Sequence, residues 1–393
     1  SDNRSRSDAD AGRDGDGDRT RPPSEKNDQA GRNEDPIPVP EKRWDAQKVA
    51  HKILKDMDLG KGSEFRDKFV DLVNSKKYGG VLEKAFYNSL GHRYRGDTII
   101  NGEPLPSLVR ADPNSPWMAR ESLPTIPPTY FFGEIKGSRS GLAAKILQKL
   151  DKFANLRQIS LNAYNPLDKV VQSIKKENNK SPSSTLDKKL EMMRETRKPM
   201  GLMKTRLTEL FGERSAERAV RDSFTGTEVS FEEPVRKANG EILKDVQGKA
   251  VTTTWRGTLP ELAESTPDKP NPIPPSENAP KNGNDQFDQI WRTKDGGFVI
   301  VEAKSSLDTG LNERIVEAGG ELKLAKQGTR EYFDDILREM NKRGGEEKKL
   351  AREIKDAILE DIGKIHYVEA RGNPGKSGKY KGNTMRFFDI REK

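Results

Sequence analysis

Cysteine is absent from this 393-residue chain, which excludes a disulfide framework, a thiolate metal site and a cysteine nucleophile. Histidine is almost absent. His51, His92 and His366 are far apart in sequence, which disfavours zinc hydrolases and nucleases built on paired histidines. Any metal is therefore expected to be hard and oxygen-bound, Mg²⁺ or Mn²⁺. No apolar run approaches the ~18 residues that a membrane helix needs, so no membrane span is expected. Ser1 stands where an initiator Met would, and no signal-like apolar segment follows, which leaves open a processed product or the C-terminal piece of a longer chain. Hydrophobic residues are scarce, at 32%, so the cores are small or long parts are unfolded.

Charge, by contrast, is plentiful. The 71 basic and 63 acidic residues leave a net charge of +8, which suits a polyanion such as nucleic acid but does not establish one. Length suggests two folded domains with tails. Residues 1–36 carry no aromatic and, apart from proline, no aliphatic side chain larger than Ala, so they read as disordered. A stiff segment, Pro36-Ile37-Pro38-Val39-Pro40, follows, and 1–42 is taken as tail and linker. Residues 43–175 form a candidate first domain, mostly helical. Helical spacing marks 44–57, 65–78 and 81–90, a short strand covers 130–136, and a further helix covers 141–153. The polar stretch 176–202 reads as a linker. The second domain, 203–393, opens with a helix over 205–224 and a hairpin insertion over 229–256, punctuated by Asn239-Gly240 and Gly248. A Pro- and Asn-rich loop covers 266–284.

The chemistry lies just beyond that loop, in Phe287-Asp288-Gln289-Ile290-Trp291-Arg292-Thr293-Lys294-Asp295-Gly296-Gly297-Phe298-Val299-Ile300-Val301-Glu302-Ala303-Lys304. Two strand-like runs flank a three-residue turn, Lys294 to Gly296, with the glycine left-handed. In that register Thr293 faces Gly297 and Asp288 falls opposite Glu302. Strand alternation puts Glu302 and Lys304 on the face of Phe298 and Ile300, while Val299, Val301 and Ala303 point into a core. Two carboxylates and an amine thus share one face of a sheet. Such a group can hold a divalent ion, activate water and stabilise charge on a phosphate. The alternative is an amphipathic hairpin with Glu302 and Lys304 as solvated charges.

This segment resembles the core of the PD-(D/E)xK, or restriction-endonuclease-like, superfamily, and most of all the nuclease toxin domains of bacterial polymorphic toxins. Gly319-Gly320 and then Gln327-Gly328-Thr329-Arg330-Glu331-Tyr332 extend the likeness, although Phe287-Asp288 replaces the superfamily's Pro-Asp. The resemblance implies an α/β fold with a mixed sheet flanked by helices. It implies a Mg²⁺- or Mn²⁺-dependent endonuclease, with DNA ahead of RNA as substrate. Asp288 and Glu302 would be metal ligands, Lys304 the water-orienting or charge-stabilising group, and Gln327 a residue at the edge of the site; the alternative for Gln327 is a capping role. An acidic residue on a preceding helix is also implied. Helical phase puts Glu217 on the apolar stripe, with Glu213 close by, as a further ligand, unless Arg214 or Arg221 neutralises it. The biological role implied is a secreted antibacterial effector acting in the target-cell cytoplasm, with a secretion-system component and a cognate immunity protein as partners. A restriction or repair nuclease acting in its own cell is the alternative, as is a non-catalytic nucleic-acid-binding module of the same fold.

Two further features stand apart. Glu134-Ile135-Lys136 ends the strand in the first domain and, with Asp112 upstream, echoes the same pattern as a possible second unit; otherwise that domain is an adaptor. Lys376 and Lys379 lie in a basic stretch, 371–381, that either contacts phosphate or is a solvated turn.

Overall fold

A computed structural model describes residues 34–391, apart from 89–90, 92, 95–97, 128–130, 182, 266–268 and 281–284. The tail over 1–33, His92, Tyr130 and parts of the loop over 266–284 therefore lie outside the described residues. Helices α1 (Arg43–Lys55), α2 (Ser63–Asn74) and α3 (Gly79–Phe86) follow the predicted periodicity. They bury Leu54, Phe65, Phe69, Leu82 and Phe86 in a core of their own. Two minimal ladders come next, β1 (Ile99–Ile100) with β2 (Glu103–Pro104) and β3 (Leu108–Val109) with β4 (Met118–Ala119).

From β5 (Phe131–Ser138) onward the chain builds a second, larger body. Helices α4 (Ala144–Lys180) and α5 (Ser184–Ser223) form a long antiparallel pair, and β6 (Glu228–Pro234) with β7 (Thr252–Thr258) form the expected hairpin insertion. Strands β8 (Gln289–Arg292) and β9 (Phe298–Lys304) follow, then β10 (Glu313–Ala318) and β11 (Glu321–Lys326). Helices α6 (Arg330–Arg343) and α7 (Gly345–Glu360) precede β12 (Ile365–Gly372) and β13 (Gly382–Phe388). The result is a mixed α/β fold around a five-stranded sheet of order β5-β13-β12-β9-β8, in which only β12 and β9 are parallel neighbours.

The sheet is covered on both sides. Phe298, Ile300 and Tyr367 pack beneath α6 and α7 through Phe333, Ile336, Leu337 and Ile354. Val299, Val301, Val368 and Phe387 pack on the other side against Ala216, Ala219 and Val220 of α5 and Phe231 of β6. Strand β9 is thus buried on both faces, whereas alternation alone left its Phe298–Ile300 face open to solvent as one alternative. Each fully buried aliphatic side chain of this kind contributes roughly 1.5–3 kcal/mol.

Two expectations about domain layout need correction. The segment 176–202 is helical, not a linker: α4 runs to Lys180 and α5 begins at Ser184, with the Ser183 hydroxyl capping α5 by accepting from the Leu186 amide. Its polarity reflects a pair of helices that bury only a thin seam of Val171, Ile174 and Leu190. Nor does the boundary near residue 203 hold. Strand β5 pairs with β13 over seven residue pairs, Gly382↔Ser138 to Phe388↔Phe131, so the strand carrying Glu134 and Lys136 belongs to the main sheet. A strap before it docks on the β10–β11 hairpin of the same body. The Ile126 amide donates to Leu324 O at 2.7 Å, the Leu324 amide donates to Pro124 O at 2.9 Å, and Arg120 forks onto Glu313.

A fragment covering 203–393 should therefore fail to fold, because it lacks β5, α4 and the strap. A fragment beginning near residue 118 should give a cooperative thermal transition. Circular dichroism melting of both checks this, and cooperative unfolding of the shorter fragment would refute the shared sheet.

Candidate active site

The turn over 294–296 forms as its residues dictate. Gly296 has φ +82°, Thr293 N donates to Gly297 O at 3.0 Å, and the Asp295 carboxylate accepts from both Thr293 Oγ1 and the Gly297 amide. The β8–β9 register, Arg292↔Phe298 to Gln289↔Val301, brings Asp288 level with Glu302, as the turn length predicts. Asp288 lies one residue beyond β8. Its carboxylate accepts from the Ala303 amide at 2.7 Å and so continues the ladder with a side chain in place of a carbonyl. The preceding Phe287 fixes the entry of the chain by packing on Phe333 and Tyr367, with ring centroids 5.1 and 5.7 Å away.

Glu302 and Lys304 are not solvated charges: only 1% and 6% of their surfaces are exposed. Three hydrogen bonds to two partners hold them. Tyr367 OH donates to Glu302 Oε1 at 2.7 Å, Gln327 Nε2 donates to Glu302 Oε2 at 2.9 Å, and Lys304 Nζ donates to Gln327 Oε1 at 2.7 Å. The Asn312 amide also donates to Gln327 Oε1, at 2.9 Å. With two donors on that oxygen, the orientation of the Gln327 amide is determined, and its NH₂ must face Glu302. Gln327 is therefore the bridge between carboxylate and amine rather than a cap. The capping role belongs to Thr329, whose hydroxyl accepts from the Tyr332 amide at 3.2 Å. Between them Gly328, at φ +91°, turns the chain from β11 into α6, and a Cβ there would lie 2.1 Å from the Phe388 ring.

Burial and Asp288 push the Glu302 carboxyl up to about 8, against the lowering pull of Tyr367 and Lys304. Asp288 lies in a concave, solvent-reached position. Its carboxyl is nevertheless held above its ordinary range, because crowding by protein outweighs the Ala303 amide and Lys304. Glu213 is raised as well, first by burial and then by Asp288. It lines a cavity of about 410 Å³ together with Asp288, Glu209 and Ala303. Glu302 and Lys304 stand behind that wall.

Of the two helix acids, Glu213 lines the cavity and Glu217 does not. Arg214 donates to Glu217 at 2.9 Å and Arg221 at 3.3 Å, so the expected further ligand is neutralised one turn away from the cavity. Helical phase put both acids near the buried stripe, and only the neighbouring side chains decide between them. Gln289, passed over in the sequence, fixes the choice: its amide donates to Glu213 O at 2.9 Å and ties α5 to β8. Gly212 lets the helix come this close, since a Cβ there would lie 3.2 Å from the backbone of Lys304 and Ser305.

No family model matches this chain, and neither does any curated protein or solved structure.

The second Glu-x-Lys has a different setting. Register aligns Glu134 with Arg386, Glu369 and Glu302 in one row, and Lys136 with Thr384, Arg371 and Lys304 in the next. Glu134-Ile135-Lys136, Glu369-Ala370-Arg371 and Glu302-Ala303-Lys304 are thus three equivalent triplets. Glu134 and Lys136 lie exposed at the sheet edge, while Asp112 accepts bonds from Asn114 and Ser115 in its own turn. No second centre like the first assembles there among the described residues. Glu369 is buried but fully paired, by Arg371 and Arg386 at 2.6 Å each. Only Glu302 is buried with less than one cation to itself. Lys376 and Lys379 stay exposed in a loop anchored by buried Tyr380.

The donor set fits a hard divalent cation. Both oxygens of Glu302 accept hydrogen bonds, an arrangement made for the carboxylate form, yet burial and Asp288 oppose that charge. A cation held by Asp288 and Glu302 would relieve the conflict. No group of three or more potential ligands is gathered among the described residues. Mg²⁺ commonly needs only one or two carboxylates, with water and substrate phosphate completing its shell.

The raised Glu302 carboxyl binds more protons in the folded than in the unfolded chain between pH 4.5 and about 8, so it subtracts stability as pH rises through that window. Glu302→Gln should therefore gain stability relative to the parent between pH 5 and 9, on the order of a few kcal/mol. Calorimetric melting at several pH values measures this, and a pH-independent difference would refute the buried, raised carboxyl.

Proposed function

We propose that this chain is a metal-dependent nuclease, a PD-(D/E)xK-like phosphodiester hydrolase acting on DNA ahead of RNA. The observation that carries the reading is Gln327 joining buried Glu302 to buried Lys304 beside Asp288. Six carboxylates and two cations line the adjoining cavity, so a phosphate is repelled there until a cation is present. Asp288 and Glu302 would hold Mg²⁺ or Mn²⁺, with Glu213 across the cavity. Such an ion neutralises the phosphate and lowers the pKa of a bound water.

The chain's own residues do the rest. Lys304, held by Gln327, has its ammonium beside the two carboxylates, where it can orient the attacking water and stabilise the negative charge that develops on the phosphate. Gln327 fixes the separation of acid and amine, and Tyr367 holds the other Glu302 oxygen. Helix α5 brings Glu213 to the same opening. Together with the sequence resemblance, this arrangement supports an exported antibacterial effector that works in the target-cell cytoplasm and is restrained in its producer by an immunity protein.

The full chain should nick and degrade plasmid DNA with Mg²⁺, and EDTA should abolish this. Lys304→Ala and Glu302→Gln should each lower the rate by about a hundredfold or more. Assays on DNA and RNA in parallel decide the substrate, and unchanged cleavage by Asp288→Ala would remove that residue from the centre. Metal affinity and cleavage should both rise with pH towards about 8, because Glu302 must lose its proton to bind an ion. A rate that falls over that range would contradict the ligand role.

A further inference from the structure

The acidic cavity at the cleavage centre cannot itself attract a polyanion from a distance. A second cavity, of about 660 Å³, opens between α1 and α5 and has the opposite character. Seven cationic side chains line it against three carboxylates, with Trp44, Tyr94 and Tyr164 among them. Three of the cations lie over rings, Lys42 Nζ at 5.5 Å from the Trp44 centroid among them. The Arg43 guanidinium is 3.9 Å from the Tyr94 centroid, and Lys204 Nζ is 4.3 Å from that of Tyr164. Such stacking holds long, flexible side chains at the wall. Part of the charge is already matched, since Lys42 pairs with Glu191 and Arg197 with Asp168. Lys84 and Lys198 add exposed charge at the opening.

Helix α5 connects this cleft to the centre. Arg194, Lys198, Gly201 and Thr205 line the cleft at helical spacing, and the same stripe continues to Glu209, which lines the acidic cavity with Asp288. The helical rise puts Glu209 roughly 16 Å beyond Lys198. At ~3.4 Å per nucleotide, about five nucleotides bridge the two.

We propose that the basic cleft between α1 and α5 binds the phosphodiester backbone of the nucleic acid whose cleavage occurs at the Asp288 end of the same helix. This rests on the nuclease reading. Cations interleaved with aromatic rings suit a nucleic acid strand, which offers both phosphates and bases to stack, better than they suit an acidic protein, which offers charge alone.

The test uses the full chain carrying Glu302→Gln, so that DNA is bound without being cut. Fluorescence anisotropy follows labelled single-stranded and duplex oligonucleotides over a range of salt concentrations. Adding Lys84→Glu, Lys198→Glu and Lys204→Glu together should weaken binding at least tenfold. It should also reduce the slope of log K against log salt by about 2, since each lost phosphate contact removes 0.7–0.9. Lys355→Glu, on the exposed side of α7, should leave affinity and slope unchanged. If the triple glutamate variant does not fold, the triple glutamine variant should show the same changes at smaller size.

Unchanged affinity and slope in a folded triple variant overturn the proposal. So does displacement of the oligonucleotide by polyglutamate at equal charge concentration, which would assign the cleft to an acidic protein. In the chain with Glu302 intact, the triple substitution should raise KM for DNA. Cleavage with unaltered KM overturns the cleft and leaves the nuclease reading standing. Binding that the triple substitution abolishes, in a chain that cleaves nothing with any divalent ion, supports the cleft and overturns the nuclease reading.

Discussion

A carboxylate set inside a packed sheet face must be neutralised, hydrogen-bonded or protonated, and much of this structure answers that demand at Glu302. Tyr367 and Gln327 supply one donor to each oxygen. Gln327 can do so only because Lys304 and the Asn312 amide fix its other end. Its place depends in turn on Gly328, which turns β11 into α6, and on the hairpin of β10 and β11, to which the strap before β5 is bonded. The strap over 120–126, the β10–β11 hairpin and the turn at Gly328 thus help hold one acid and one amine at a fixed separation.

The three aligned triplets show how little the motif means without its setting. One lies in solvent at the sheet edge, one is closed by two guanidinium groups, and one is left short of positive charge beside Asp288. Residue types and spacing barely differ. What differs is the number of cations within reach of a buried oxygen, and that makes β9 the strand where an added cation gains most.

Local information was enough for the hairpin. Asp295-Gly296 dictates the turn, the turn dictates the register, and the register brings Asp288 level with Glu302. Gln327 was legible only through family resemblance, since nothing in its neighbours predicts a bond to Lys304. Non-local contacts were the part that could not be read. The edge strand over 131–138 finds its partner about 250 residues away, and neither side announces the other. The outer ends of the helices over 144–180 and 184–223 were legible, but the stretch 176–202 hid in polar composition because it buries so little. Glu213 and Glu217 share a helical face, and the choice between them lies with two arginines and Gln289.

The position of β13 has a bearing on timing. It is the last strand in chain order, and it lies between β5 and β12, so β5 has no partner in the sheet until residues 382–388 have been made. Pairing across so long a loop is slow. During synthesis the ribosome would hold most of the chain with the sheet still divided, and the row that contains Glu302 still lacking Arg386 and Glu134. Order of synthesis and order of assembly are therefore opposed at this edge: β5 is the first strand of the sheet to be made, and its only partner there is the last.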